Sequence, residues 1–368
     1  MIRSVKIRLI PNKTQENLMI KSSNISRFVY NWALSRQIEN HHNGNKFIYN
    51  NILRKELTQL KKTEMQFLSE VSNNVSKQAV KDCCNAYKRF FNKKSSFPKF
   101  KSKKNSKPSF YNDCGKLKIG NKKVYLEKIG WIKTSLQFPE KIKLYNPRVT
   151  FDGKYWFLSV GLEVDKAEIK LNDFKIGIDL GVKNLAICSN GKIYENINKT
   201  NRVKKIENKI NKLKKQVSKK YNINRSQNID CKYSNISKVK KKIRLLYRRL
   251  SNIRNNHIHQ VTNDIVKTKP YQINIEDLNI SKMMKTHYLS KAIQNQSFYK
   301  FMTYLSYKCE FYGIKLVKID RFYPSSKTCN SCGRIKYDLK LSDRTYRCDC
   351  GYSEDRDMNA SYNIRDFD

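Results

Sequence analysis

The chain is short of acid. Against 76 Lys and Arg stand 31 Asp and Glu, leaving a formal charge of +45 spread along all 368 residues. A surplus of that size repels itself in a compact fold unless a polyanion neutralises it, so nucleic acid is the expected partner. The sequence also lacks any apolar run near the roughly eighteen residues that a membrane span needs, and no signal-peptide pattern opens it. An anionic membrane surface would call for a local basic amphipathic helix, whereas here the charge accompanies strands and helices alike. Regular cysteine spacing is missing at positions 83, 84, 114, 188, 231 and 309. These six read as reduced thiols of a cytosolic or nuclear protein, which excludes a disulfide scaffold. The length accommodates two or three domains, each with a core of its own.

The other four cysteines do show a pattern. Cys329-x2-Cys332 and Cys348-Asp349-Cys350-Gly351 lie fifteen residues apart, a spacing that suits a tetrahedral zinc site built from two short loops with a hairpin between them. The second pair is Cys-x-Cys, tighter than the commoner Cys-x-x-Cys. Just beyond it, Asp355-Arg356-Asp357-Met358-Asn359-Ala360 reads as a helix start that aims a carboxylate outside the ribbon. Ordinary helix capping by both acids is the alternative.

In chain order, Val5, Ile7 and Leu9 alternate with Lys6 and Arg8 as a strand that Pro11 stops. Asn12 and Gln15 form a capping-box entry to a helix with Leu18, Ile25, Phe28, Val29 and Trp32 on its apolar side. Helical patterning continues over about 51–92, with Leu53, Leu57, Leu60, Val75, Ala79, Ala86 and Phe90 inward. The basic stretch 93–107 interleaves phenylalanines with Lys99, Lys101, Lys103 and Lys104, as a loop facing nucleic acid does, although a solvated linker has the same composition. Strand patterns at 116–119, 122–126, 131–138, 141–145, 148–151 and 155–163 predict a small barrel that the first strand joins.

After Val164 the pattern changes. Ile176-Gly177-Ile178-Asp179-Leu180-Gly181, Leu185 to Cys188 and Ile193-Tyr194 predict an antiparallel meander turning at Asn190-Gly191. Residues 199–268 carry two heptad stripes, Val203, Ile206, Ile210, Leu213, Val217 and Val239, Ile243, Leu246, Leu250, Ile253. They predict an antiparallel helical hairpin with lysines outward; a dimerising coiled coil is the competing reading. Then follow the strand Ile273–Glu276, a helix with Phe298, Phe301, Leu305 and Cys309, and the strand Ile314–Asp320. Three antiparallel strands, a helical crossover, strand, helix, strand and a last helix is a ribonuclease-H-like order, interrupted by the ribbon. It brings Asp179, Glu276 and Asp357 to one edge of the sheet, with Asp355 competing for the third place. Three converging carboxylates repel unless divalent cations lie between them, and two magnesium ions there would serve phosphodiester hydrolysis.

These stretches, with Ile176 through Ala186, Ile275-Glu276-Asp277-Leu278, Phe322 through Gly333, Asp355 through Ala360, Lys6 through Pro11 and Phe97 through Lys101, closely resemble the TnpB (OrfB) proteins of insertion sequences. The resemblance implies an RNA-guided DNA endonuclease related to the type V CRISPR effectors. Its fold would be multidomain α/β: a wedge β-barrel (1–10 and 108–168), a helical recognition lobe (11–107), a RuvC-like nuclease domain (169–323 and 352–368) and a zinc ribbon (324–351). The catalytic acids carry over as Asp179, Glu276 and Asp357, with two Mg2+ ions and one structural Zn2+ on Cys329, Cys332, Cys348 and Cys350. The implied partners are a guide RNA from the transposon end and a double-stranded target DNA bearing a short adjacent motif, with no membrane and the protein a monomer on its RNA. A looser likeness puts motif contacts at Lys77 and Gln78. The setting would be the cytoplasm of a bacterium or archaeon, or the nucleus for a eukaryotic Fanzor relative. Some relatives have lost the acids and act as RNA-guided repressors; this sequence keeps all three. It departs from the family in its Cys-x-Cys half-site and in ending eleven residues after Asp357. A repressor or transposition accessory factor without useful turnover is the runner-up. A resolvase that cuts branched DNA without RNA is a third reading, against which the barrel, lobe and ribbon argue.

Overall fold

Strand β1 (Ile2–Ile10) buries Ile7 and Leu9 and is paired on both sides, which makes the first strand a central one. A computed structural model describes residues 1–138, 143–226, 234–285, 288–340 and 342–367, and divides the chain into two units, Met1–Val164 and Asp165–Asp368. Cys231 and positions 141–142 of an expected strand lie outside the described residues. Among the described residues no helix is long and apolar enough to cross a membrane.

In the first unit the α-helices α1 (Lys13–His42), α2 (Asn50–Leu60) and α3 (Asn73–Phe91) follow β1. The capping box is formed, with Gln15 N donating to Asn12 Oδ1 at 2.8 Å and Asn12 N to Gln15 Oε1 at 3.0 Å. Of the expected inward residues Leu53, Leu57, Val75 and Ala79 are buried, whereas Phe28 is exposed and meets Phe67 edge-on. Strands β2 (Ser109–Tyr111), β3 (Lys118–Gly120), β4 (Lys123–Leu126), β5 (Gly130–Thr134), β6 (Leu144–Phe151) and β7 (Trp156–Glu163) join β1 in a seven-stranded antiparallel sheet of order β2-β6-β7-β1-β5-β4-β3.

The sheet corrects the barrel expectation, because among the described residues β2 and β3 do not pair and nothing closes it. Closure needs edge strands long enough to stagger against each other, and both edges here have three residues. The strand β6 also shifts register between Tyr145 and Arg148, around Pro147, which has no N–H to give. The edge strand β2 escaped the sequence reading because its three residues are too few to show alternation.

The second unit holds β8 (Asn172–Leu180), β9 (Asn184–Cys188) and β10 (Ile193–Glu195), the helical pair α4 (Asn201–Ser226) and α5 (Ser234–Lys267), β11 (Pro270–Glu276), α6 (Ile280–Met283), α7 (Ser290–Gln296), α8 (Phe298–Tyr312), β12 (Lys315–Ile319), the two-stranded β13 (Thr345–Arg347) and β14 (Ser353–Asp355), and α9 (Arg356–Asp366). Its main sheet runs β10-β9-β8-β11-β12, antiparallel through β8 and parallel from β8 to β12. Val203, Ile206, Ile210 and Leu250 form the buried seam of the hairpin, with Ile243, Leu246 and Ile253 packed on it. Helix α9 lies directly on β8. A Cβ on Gly177 would sit 2.0 Å from the Ser361 carbonyl oxygen, so only glycine permits this approach. The buried Asn274 of β11 holds the C-terminal end of α9, its Nδ2 lying within 3.0–3.1 Å of the carbonyls of Ile364, Arg365 and Phe367, which share its two hydrogens.

Candidate active site and cysteine centre

Strand register sets the first two acids. Ile275 of β11 pairs with Ile178 of β8, so one step on in these parallel strands Glu276 stands beside Asp179. Asp357 arrives from the first turn of α9, where Asp355 takes the cap: its Oδ1 accepts from Asp357 N at 3.0 Å and Met358 N at 3.1 Å. Capping thus occupies Asp355 and leaves the Asp357 carboxylate for the cleft.

All three acids line one cleft of about 450 Å³. Burial drives the carboxyl of Asp179 well above the usual carboxylate range, the neighbouring Glu276 and Asp357 push it further, and Arg356 partly opposes them. Ser325 Oγ donates to Glu276 Oε1 at 2.7 Å, and Arg356 Nη2 lies 3.4 Å from Asp357 Oδ1. Cations share the walls: Lys183 and Lys327, and from the cysteine segment Lys340 and Arg344. Arg344 is exposed and, among the described residues, forms no ion pair, although it lines a cleft with three carboxylates. Neither Ser325 nor Arg344 was singled out from the sequence. Ser325 stands within Phe322–Gly333 with no spacing that marks a role for it, and an arginine in a basic chain carries no signal of its own.

The four sulfurs of Cys329, Cys332, Cys348 and Cys350 all lie within 4.8 Å of one another, the sole such cluster of ligand atoms among the described residues. Cys329 and Cys350 are 3.7 Å apart and Cys332 and Cys348 3.6 Å, close to the roughly 3.8 Å edge of a tetrahedron with 2.3 Å metal–sulfur bonds. Each pair sits on a tight turn ended by a left-handed glycine, Gly333 (φ 74°) and Gly351 (φ 88°), whose N–H groups return to Cys329 O and Cys348 O. The shortened Cys-x-Cys half therefore delivers both thiols. Burial pushes the Cys329 thiol up to about 12, while the Tyr352 backbone N–H pulls Cys350 down to about 7.

Buried asparagines of α9 tie this centre to the acids. Asn359 Nδ2 donates to Thr328 O at 2.8 Å while its Oδ1 accepts from Asn330 N at 3.2 Å, and Asn363 Nδ2 donates to Ser325 O and Thr328 O at 2.7 Å. On the other flank Arg356 N donates to Arg344 O at 2.8 Å.

The residues proposed to face nucleic acid divide. In the first unit Lys77 is exposed and lines a basic cleft of about 780 Å³ with Arg54, Lys55, Lys61 and Lys62. Its neighbour Gln78 donates to Asp82 at 2.8 Å, and Asp82 holds Arg148 through two bonds of 2.7 and 2.8 Å. Lys99, Lys103 and Lys104 are exposed. Lys101 turns inward, its Nζ 3.5 Å over the Tyr30 ring and its backbone paired with Asn31 by two 2.8 Å bonds. Phe97 packs on Tyr87 and Phe90, so part of this loop is fastened to α1 and α3.

Residues 159–287 match a family described as a probable transposase, residues 298–364 one described as Cas12f1-like, TNB domain, and residues 1–46 one described as a helix-turn-helix domain. Over residues 1–46 the structure has one strand and one long helix. The chain is 30% identical over 383 residues to "Putative RNA-guided DNA endonuclease InsQ" of Escherichia coli K12, an alignment covering 99% of this chain and 91% of that protein. It is 30% identical over 367 residues to a Streptomyces pristinaespiralis protein of the same description, covering 98% and 88%. Among solved structures, the Cas12f1–sgRNA–target DNA complex contains a chain that superposes with a TM-score of 0.55 at 16% identity, covering 100% of this chain and 99% of that one. At that identity the likeness concerns the fold.

Proposed function

The chain belongs to the TnpB (OrfB) family, and from that premise we propose that it is an RNA-guided DNA endonuclease whose nuclease centre is Asp179, Glu276 and Asp357. The observation that carries the reading is the register of Ile275 on Ile178, which sets two carboxylates side by side on parallel strands, with Asp357 on the same cleft. Residues 169–323 and 352–368 then form a RuvC-like domain and 324–351 a zinc ribbon. Residues 11–107 form the recognition lobe, and 1–10 with 108–168 the wedge.

The donor set fits hard divalent cations: three carboxylates on an open cleft with room for metal-bound waters. When bound, a magnesium pair supplies an activated water and charge stabilisation for the leaving oxygen. The chain's own groups do the rest. Ser325 fixes the orientation of Glu276, and Asp355 fixes the first turn of α9 so that Asp357 keeps its aim. Arg344 and Lys183, unpaired with the acids, hold the phosphate that enters between them. The four thiols fit Zn2+ with a closed tetrahedron, which makes that site structural.

The partners are a guide RNA from the transposon end and a double-stranded target. Base pairing supplies the sequence choice, and the protein reads shape, backbone and a short adjacent motif. The test is to sequence the RNA that copurifies with the protein, then assay nuclease-treated protein with magnesium on plasmid and branched DNA, with and without that RNA restored. Site-selective cutting that follows a reprogrammed guide is expected. Efficient cutting without RNA would favour a resolvase, and no cutting under either condition with the fold intact would favour a repressor.

A further inference from the structure

The turn between β8 and β9 lines the acid cleft through Gly181, Val182, Lys183 and Asn184, and begins two residues after Asp179. Internally it is weakly tied: Gly181 N reaches Leu185 O at 3.4 Å. What holds it comes from outside. Gln296 Nε2 donates to Gly181 O at 3.0 Å and Val182 O at 3.3 Å, and Asn196 Nδ2 donates to Val182 O at 2.8 Å. Both side chains are buried.

From Asn196 the bonds continue outward. Its Oδ1 accepts from the backbone N and the Nδ2 of Asn198, each at 2.9 Å. Asn198 Oδ1 accepts from Arg254 Nε at 2.7 Å, and Arg254 Nη2 donates to Glu207 Oε1 at 2.9 Å. Glu207 belongs to α4 and Arg254 to α5, so an unbroken polar chain joins both helices of the hairpin to the turn beside the acids.

Packing alone does not call for this arrangement. The Arg254 side chain is 16% exposed and neighbours a seam that is otherwise apolar, Val203, Ile206, Leu250 and Ile253. Burial outweighs the Glu207 carboxylate and draws the guanidinium below its ordinary pKa, so the cation sits there at a net desolvation cost. An apolar residue of similar volume would stabilise such a position at least as well. A satisfied polar network instead enforces one geometry. One geometry is what the acid next to it needs, because misplacement of a reacting group by about 1 Å costs on the order of a hundredfold in rate.

We propose that Arg254 is a positioning residue: through Asn198 and Asn196 it sets the β8–β9 turn, and with it Asp179, from the base of the α4–α5 hairpin. This rests on the nuclease reading above. The experiment uses full-length protein with its copurified RNA and compares wild type, Arg254→Met, Arg254→Lys, Asn196→Ala and Asp179→Ala. Single-turnover cutting of guide-matched DNA is measured against Mg2+ concentration, with DNA affinity measured in Ca2+ and melting followed in parallel. Arg254→Met and Asn196→Ala should cut roughly 10–100-fold more slowly, with a raised Mg2+ midpoint and unchanged DNA affinity. Arg254→Lys should recover part of the rate, since an ammonium can meet Asn198 or Glu207 but not span both. A wild-type rate and Mg2+ midpoint in Arg254→Met overturn the proposal; if that variant does not fold, the same outcome in Asn196→Ala overturns it. A rate loss that tracks lost DNA affinity and melting, with no recovery in Arg254→Lys, assigns Arg254 to folding and also overturns it. Wild-type protein that cuts nothing, or Asp179→Ala that cuts normally, removes the nuclease reading and this proposal with it, whereas the earlier outcomes remove the proposal alone.

Discussion

Two clusters of metal-type ligands flank helix α9, and they differ in how nearly they are assembled. The four sulfurs converge within 4.8 Å, whereas the three carboxylates share a cleft without closing to that distance. Charge explains the difference. Thiols can be neutral and can hydrogen-bond to each other, so protein turns alone bring them together. Ionised carboxylates 4 Å apart repel by about 4 kcal/mol at an effective dielectric of 20, so they approach closely only with a cation or a proton between them. On the proposed reading the closed centre serves support and the open one chemistry. The asparagine bonds from α9 to Thr328 and Ser325 make the first a splint for the second.

The comparison breaks most sharply at the acids. Asp179→Ala, Glu276→Ala and Asp357→Ala should each abolish guided cleavage, a loss of about a thousandfold or more, while DNA affinity in Ca2+ stays within about twofold. Gel-shift and cleavage assays on the same preparations decide it. If Asp355→Ala is dead and Asp357→Ala active, the third acid has been misassigned.

The cysteine centre should fail differently. Elemental analysis of wild type should give one zinc per chain, and Cys329→Ser/Cys348→Ser should give none. That variant should keep its RNA but cut roughly 10–100-fold more slowly, because α9 loses its anchor and Asp357 drifts. Zinc retained in the double variant would show that the four thiols are not the site. Cutting at the wild-type rate without zinc would show that they do not support α9.

Much of this contrast was legible in the sequence, for reasons that differ by element. The alternation in Ile176–Leu180, the isoleucines 273 and 275 before Glu276 and the heptad seam all report burial, which the hydrophobic pattern records directly. The barrel failed because closure depends on edge lengths and on Pro147, features that alternation does not encode. Gly177 was visible as a letter, but its reason, the Ser361 carbonyl, lies 184 positions away. Asn274, Asn359 and Asn363 look like surface residues in a chain rich in asparagine. Their buried bonds across 90, 31 and 38 positions appear only in three dimensions. Lys101 shows the opposite error, a basic-loop lysine that folds inward onto Tyr30.

A smaller effect is expected at Asp355, which supports the open site without belonging to it. Its carboxylate caps α9 through the N–H groups of Asp357 and Met358. Asp355→Ala should cost about 1 kcal/mol of stability and slow cutting only a few-fold, whereas Asp355→Asn, which can still cap, should be close to wild type in a melting experiment. Equal losses in both variants would mean that the charge, not the cap, matters there.

The smallest effect concerns stability without metal. The native pKa of Asp179 lies above its unfolded value, chiefly through burial and then through Glu276 and Asp357. Below the unfolded pKa, near 3.9, both states carry the proton and no penalty arises. As pH rises toward the folded pKa the unfolded state ionises first, so stability is lost across that window and stays lost above it. Asp179→Asn removes the penalty. In EDTA at neutral pH it should therefore melt about 1–3 °C higher than wild type, with the gap vanishing toward pH 4. Magnesium should narrow the gap from the other side, since a cation among the acids favours the ionised form that the protein alone disfavours. The cysteine centre should show no such crossover with magnesium. A variant that melts below wild type in EDTA at neutral pH would mean that Asp179 is already compensated within the protein, and the distinction between an open and a closed centre would not hold.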